Sequence, residues 1–214
     1  MGQIVLIYGR SGSGKSRSLK GFAEDEILLC NVEKKALPFK GGFKYVCTKD
    51  DINIICSQLS KMPCKTAVID DAGYLLTNTF MRCHSAGRKG SQVYDLYNDI
   101  ADGYWGLFKH IKDNLPNDVI VYVMMHEDQN ESGITKLKTI GKLLDDKVCL
   151  EGMVTVCLRC MSDKGHHFFR TQTDGLDITK SPEGMFDELE IDNDLKAVDT
   201  KIREYWGLNA PEKE

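Results

Sequence analysis

The sequence predicts one α/β domain with a mostly parallel central sheet, a C-terminal β-hairpin and a terminal helix. Three observations predict it. Short apolar, β-rich runs alternate with stretches of helical spacing, as expected for parallel strands joined by crossover helices. The run Val119 to Met125 is apolar almost throughout, which suits a strand buried on both faces. A glycine-rich turn, Gly9 to Ser16, sits between the first strand and the first helical pattern. A chain of 214 residues with 42% hydrophobic content can bury one good core and is short for two, so residues 1–214 are expected to form a single domain.

The elements follow in order. Ile4 to Tyr8 reads as a short buried strand ending at Gly9, and Lys15 to Ala23 as a helix. Ile27 to Asn31 is a second strand and Tyr45 to Cys47 a short third. Thr48 and Asp50 are candidate caps for a helix from Asp51 to about Leu59. Thr66 to Ile69 is the next buried strand. Tyr94 to Lys112 places Tyr97, Ile100, Tyr104, Trp105, Leu107, Phe108 and Ile111 at helical spacing, interrupted by Gly103 and Gly106. Beyond the strand Val119 to Met125, Met153 to Leu158 and His167 to Arg170 form a hairpin turning at Asp163-Lys164-Gly165. Leu195 to Trp206 closes the chain as a helix.

Composition limits the partners. The chain has 28 basic and 32 acidic residues, a net charge of −4, so no global positive field draws it to nucleic acid and any such binding needs local patches. Eight cysteines would suggest disulfides in a small secreted domain. Met1 to Leu6, however, enters a strand with no signal peptide, so reduced thiols and a cytoplasmic location are expected. No apolar run approaches the roughly 18 residues of a membrane span, and no membrane association is expected.

The strongest motif is Gly9-Arg10-Ser11-Gly12-Ser13-Gly14-Lys15-Ser16, a full G-x-x-x-x-G-K-[ST] P-loop in its required setting between strand and helix. Its glycines let backbone N–H groups and the helix start wrap around phosphate oxygens. Lys15 supplies charge to the β- and γ-phosphates and the Ser16 hydroxyl ligates Mg²⁺, so ATP and Mg²⁺ are the expected ligands, with Arg17 at the end of the nucleotide-binding stretch. In Thr66-Ala67-Val68-Ile69-Asp70-Asp71, Asp70 ends an apolar strand and is placed to hold the metal through water. Asp71 could orient that shell or cap the next turn. Hydrolysis further needs a group to activate water and one to sense the γ-phosphate. Glu33, after the second strand, and His126, ending another, both fall on the sheet edge where open α/β sheets bind ligands.

Taken in this order, the motifs resemble the RecA-type ATPase core. More closely, they resemble the small phage ATP-binding proteins described as RecA-like single-strand annealing proteins. The resemblance rests on Gly9 to Ser16, Val68-Ile69-Asp70-Asp71-Ala72, Met124-Met125-His126, Gly141-Lys142-Leu143-Leu144-Asp145-Asp146-Lys147 and Thr179-Lys180-Ser181-Pro182-Glu183-Gly184-Met185-Phe186, from residue 4 to about 206. It implies a RecA-like core without an extra DNA-binding domain, which oligomerises and acts on single-stranded DNA in phage recombination or annealing. It also implies phage recombination or replication proteins as partners and a host-cell cytoplasmic setting. Glu33 matches the water-activating glutamate; His126 takes the γ-phosphate-sensing position at which RecA carries glutamine. Lys180 is the preferred candidate for a transition-state cation acting on a neighbouring subunit, with an ion pair to the acidic run Glu183 to Asp194 as the structural alternative.

Two basic intervals fall where RecA-like cores place DNA-contacting loops. One, from Thr77 to Gln92, carries Arg82, His84, Arg88 and Lys89; the other, after His126, carries Lys136, Lys138 and Lys142. Ordinary solvated loops are the alternative, and Phe80 could stack on a base or pack on the core. Cys157-Leu158-Arg159-Cys160 has C-x-x-C spacing, with His166 and His167 following, but strand alternation puts the two cysteines on opposite faces, which argues against zinc. Two other functions remain open: a P-loop nucleotide kinase, although Lys136 to Lys147 lacks the arginines of a phosphate-closing lid, and a nucleotide-dependent switch or loader with a protein partner.

Overall fold

A computed structural model describes residues 1–84, 91–140 and 148–208. Arg88, Lys89, Lys142 and the stretch 141–147 lie outside the described residues. The strands are β1 (Gln3–Gly9), β2 (Ile27–Asn31), β3 (Tyr45–Cys47), β4 (Thr66–Asp70), β5 (Ile120–Gln129), β6 (Thr135–Leu137), β7 (Val156–Asp163), β8 (His166–Arg170) and β9 (Glu190–Asp192). The helices are α1 (Ile52–Lys61), α2 (Gly73–Cys83), α3 (Ser91–Asn114) and α4 (Leu195–Trp206).

The sheet runs β3-β2-β4-β5-β1-β7-β8-β9, with β6 folded back on β5. From β3 to β7 every pairing is parallel, and β8, β9 and β6 are attached antiparallel. The chain is thus a mixed α/β fold with a mostly parallel sheet. Each face of that sheet carries its own core. On one, Leu6, Tyr8, Ile69, Val121 and Val123 meet Ile55, Leu75, Tyr104 and Phe108 from α1, α2 and α3. On the other, Val5, Ile7, Val68, Tyr122 and Leu158 meet Leu19 and, from α4, Val198 and Ile202. Burial on both faces is why β1, β4 and β5 read as continuous apolar runs.

Several expectations shift in detail. The helix expected from Lys15 to Ala23 is a single 3-10 stretch, Ser16–Gly21. Phe22 leaves it with ψ 142° to bury its ring in the second core. Asp51, rather than Thr48 or Asp50, caps α1 by accepting from the Asn53 and Ile54 N–H groups, because Asp50 is engaged by Asn78 and Arg82. The glycines expected to interrupt the long helix do not: α3 continues through Gly103 and Gly106, and a Cβ at Gly103 would lie 3.6 Å from the Ile52 side chain of α1.

The interval from Thr77 to Gln92 is not a single loop. Its first part, to Cys83, belongs to α2, and Ser91 and Gln92 open α3. Thr77 to Cys83 continues the pattern in which Leu75 and Leu76 bury one face of that helix. Phe80 stacks between His84 and Tyr97, with ring centroids at 5.1 and 5.3 Å. The predicted hairpin is present as β7 and β8, longer than expected, and Lys164 and Gly165 turn it with φ of 47° and 83°, the two left-handed positions of a type I′ turn. No described helix is long and apolar enough to cross a membrane.

Candidate functional site

The C-terminal ends of β1, β4 and β5 meet at a cleft of about 330 Å³ lined by P-loop residues together with Lys35, Leu37, Pro38, Asp70, Asp71, His126 and His167. Register explains the meeting. Asn31 on β2 lies opposite Asp70 on β4, and Gly9 on β1 opposite His126 on β5, so one sheet edge gathers the polar ends of four apolar strands.

The P-loop is shaped by close packing. A Cβ on Gly9 would stand 2.2 Å from the carbonyl oxygen of Cys160, and one on Gly14, at φ 107°, would meet the His167 imidazole at 2.8 Å. The flank of the loop is held by later residues. His167 Nδ1–H donates to the Ser13 carbonyl at 2.7 Å, the Cys160 thiol donates to the same oxygen at 3.2 Å, and Arg17 donates to Asn193 at 3.2 Å. Lys15 is buried, its ammonium donating to the Gly9 and Arg10 carbonyls at 2.9 and 3.0 Å. Burial pulls its pKa below the ordinary lysine value.

Ser16 Oγ–H donates to Asp70 Oδ2 at 2.7 Å. Burial pushes the Asp70 carboxyl up, opposed by that hydrogen bond. The other oxygen, Asp70 Oδ1, is buried with no hydrogen-bond partner. An orphaned buried carboxylate oxygen is costly unless something cationic or protic meets it, and one beside a serine hydroxyl fits a hydrated Mg²⁺. Among the described residues no group of three or more His, Cys, Asp or Glu gathers to hold a metal. Mg²⁺ bound with phosphate needs only one or two protein carboxylates, since water and phosphate oxygens fill its other positions.

Asp71 is the hub of the cleft. Its Oδ1 accepts from His126 Nε2 at 3.2 Å and its Oδ2 from Lys35 Nζ at 2.5 Å. Burial alone would raise this carboxyl; the hydrogen bonds from His126 and Lys35 outweigh it and hold the pKa at about 2. Asp71 has φ 57°, a left-handed backbone uncommon outside glycine and enriched at functional sites.

Of the residues expected to act together, Ser11, Gly12, Gly14, Lys15, Ser16, Arg17, Asp70 and His126 line this cleft. Gly9 and Ser13 lie beneath it, and Arg10 turns outward to pair with Glu127 at 3.1 Å. Glu33 is not brought to the cleft: its carboxylate accepts from Asn78 on α2 at 2.8 Å. Lys180, expected to act on a neighbouring subunit and not on its own cleft, has its backbone bridged to Cys157 of β7. Arg82 is paired with Asp50 at 2.5 Å. Lys136 lies on β6 opposite Asp128, and the Lys138 backbone donates to the His126 carbonyl. Cys157 and Cys160 face opposite cores.

Sequence reading gives no place at this cleft to Lys35, Asn193 or Arg159, and considers His167 only as a zinc ligand. Lys35 sits in a polar run, Glu33-Lys34-Lys35, that looks like solvated loop. Arg159 joins the buried carboxylates of Glu127 and Asp177, at 2.9 and 3.3 Å, but follows directly on the expected strand, Met153 to Leu158, which in fact runs on to Asp163. None of these belongs to the P-loop motif, and strand order brings each to its partner. Together the cleft offers backbone donors, one buried lysine, a serine hydroxyl and a carboxylate with a free oxygen, a set that can bind a polyphosphate with its metal. No protein-family model matches this chain and a search of curated proteins gave no match, so the reading of this cleft rests on its geometry.

Proposed function

We propose that the chain is a Mg²⁺-dependent ATP-binding and ATP-hydrolysing protein with a RecA-like core, acting as a cytoplasmic homo-oligomer on single-stranded DNA in phage recombination or annealing. The observation that carries the nucleotide part is the convergence of Lys15, Ser16, Asp70 and His126 on one cleft, with Asp70 Oδ1 unpartnered. Strand order supports the RecA-like core. Inserting β5 between β1 and β4 brings His126 beside Gly9 and onto Asp71, which is where a γ-phosphate sensor would be needed. The DNA part draws on the resemblance and on the basic residues near α2 and β6.

One observation favours a nucleotide-dependent switch as the second reading. Among the described residues the carboxylates lining the cleft are Asp70 and Asp71, the first assigned to metal and the second already bonded twice, while Glu33 faces α2. Slow turnover would follow unless Glu33 swings in when nucleotide binds.

The test is ATP hydrolysis with and without single-stranded DNA, for the wild type, Lys15→Ala and Glu33→Gln. The ATPase reading expects DNA-stimulated turnover, loss of ATP binding in Lys15→Ala, and binding without turnover in Glu33→Gln. Phosphoryl transfer to a nucleoside monophosphate would replace it with a kinase. Slow turnover indifferent to DNA would favour the switch.

A further inference from the structure

Lys35 is placed with more care than a loop lysine needs. Asn31, the last residue of β2, holds both polar backbone groups of Lys35. Its Oδ1 accepts the Lys35 N–H at 3.1 Å and its Nδ2 donates to the Lys35 carbonyl at 2.7 Å. Between them Lys34 takes a left-handed φ of 55° and donates its N–H to the Asn31 carbonyl. This closed turn sends Glu33 toward α2 and returns Lys35 to the cleft. There its Nζ meets Asp71 Oδ2 and lies 5.5 Å from the centre of the Tyr74 ring.

The two partners differ in freedom. The Lys35 side chain is 56% exposed and that of Asp71 9%, and Asp71 is also fixed by His126 on its other oxygen. The carboxylate is therefore the anchor, and the ammonium, on four rotatable methylenes, is the group that can move. Its position in the cleft selects which phosphate it could reach. Arg17 and His167 lie on the flank toward Asn193, whereas Lys35 shares Asp71 with His126 beside Asp70. Ser16 and Asp70 would hold a P-loop metal near the β- and γ-phosphates rather than the α-phosphate, so the Asp70 side would be the terminal-phosphate end of the cleft.

We propose that Lys35 is a ligand of the terminal phosphate supplied by the same chain, paired with Asp71 in the structure and transferring to the γ-phosphate oxygens when a nucleoside triphosphate binds. This rests on the reading of the cleft as a nucleotide site. The exchange trades one anion for another, so the ammonium is never left unpaired, and it opens Asp71 Oδ2 to a water molecule beside the terminal phosphate. Discrimination between triphosphate and diphosphate is then built into one side chain of the chain itself.

The test compares Mg²⁺-dependent binding of ADP and of a non-hydrolysable β,γ-imido ATP analogue to the full chain, as wild type, Lys35→Met, Lys35→Arg and Lys15→Ala. Because the Asp71 pair is given up, only the excess of the new charge-assisted bond counts, and Lys35→Met is expected to weaken the triphosphate by about three- to tenfold. ADP affinity should stay within about twofold, and Lys35→Arg should recover most of the loss. Equal weakening of both nucleotides, or no weakening of either, would overturn the proposal. A wild type that binds neither nucleotide, like Lys15→Ala, would overturn the nucleotide reading and this proposal with it. The wild-type result therefore tells the two failures apart.

Discussion

Asp71→Asn tests the cleft through folding rather than catalysis. Asparagine has nearly the same shape and, like aspartate, tolerates the left-handed backbone at φ 57°, so the main change is loss of the charge that Lys35 and His126 meet. The Asp71 carboxyl titrates at about 2 in the folded chain against an ordinary 3.8. One pKa unit corresponds to about 1.4 kcal/mol, so ionised Asp71 contributes roughly 2 kcal/mol to folding near neutral pH. Because the folded value is the lower one, the contribution is complete above about pH 5, falls to roughly half near pH 3 and disappears below about pH 2. Asp70 works in the opposite sense: burial raises its carboxyl and the neighbouring Asp71 charge raises it further, so Asp71→Asn relieves part of that cost and trims the gap. Urea unfolding of wild type and Asp71→Asn at pH 7 and pH 3 should give a gap of at most roughly 2 kcal/mol that narrows by about half at the lower pH. A gap that does not change with pH, or no gap at pH 7, would refute the assignment of Asp71 as a buried, doubly bonded anion.

Two further variants probe the supports of the site. Arg159→Met leaves the buried carboxylates of Glu127 and Asp177 without their common cation and is expected to cost about 3–5 kcal/mol, read as a lowered urea midpoint. Asp194→Ala removes the side-chain oxygen that accepts from the Lys196 and Ala197 N–H groups at the start of α4, with an expected loss of about 1 kcal/mol in thermal or urea unfolding.

Where local signals and tertiary context agree, the sequence was readable. β2, β3 and α4 occur over the predicted residues, because apolar runs bounded by turn residues, and Asp194 before an amphipathic stretch, state their own ends. The P-loop, Asp70 and His126 were visible for a related reason: each follows directly on a buried apolar run, so the sheet edge could be anticipated, although β5 itself runs on past His126 to Gln129. Residues whose roles depend on pairing across the sheet were not visible. Lys35 reaches Asp71 only because β2 lies beside β4. His167 reaches Ser13 only because β8 is added antiparallel beyond β7. Glu33 shows the converse, since its place in sequence fitted the expected role while the turn at Lys34 carried its side chain to α2. The start of α2 was missed because Gly73 and the polar residues Thr77, Asn78 and Thr79 resemble a loop until Leu75 and Leu76 are seen to bury.

The central place of β1 also bears on when the protein becomes active during synthesis. Although first in the chain, it pairs on both sides with strands made much later, Gln3 lying opposite Ile120 and Val5 opposite Val156. Its loop is then braced by His167 and Asn193. Such non-local pairing slows folding and delays the cooperative step until most of the chain is available. A nascent chain that ends before β7 has the whole glycine motif yet lacks the neighbours that shape it. If the cleft binds a polyphosphate as proposed, that competence arrives late, and a ligand that recognises the shaped loop will stabilise finished molecules in preference to fragments.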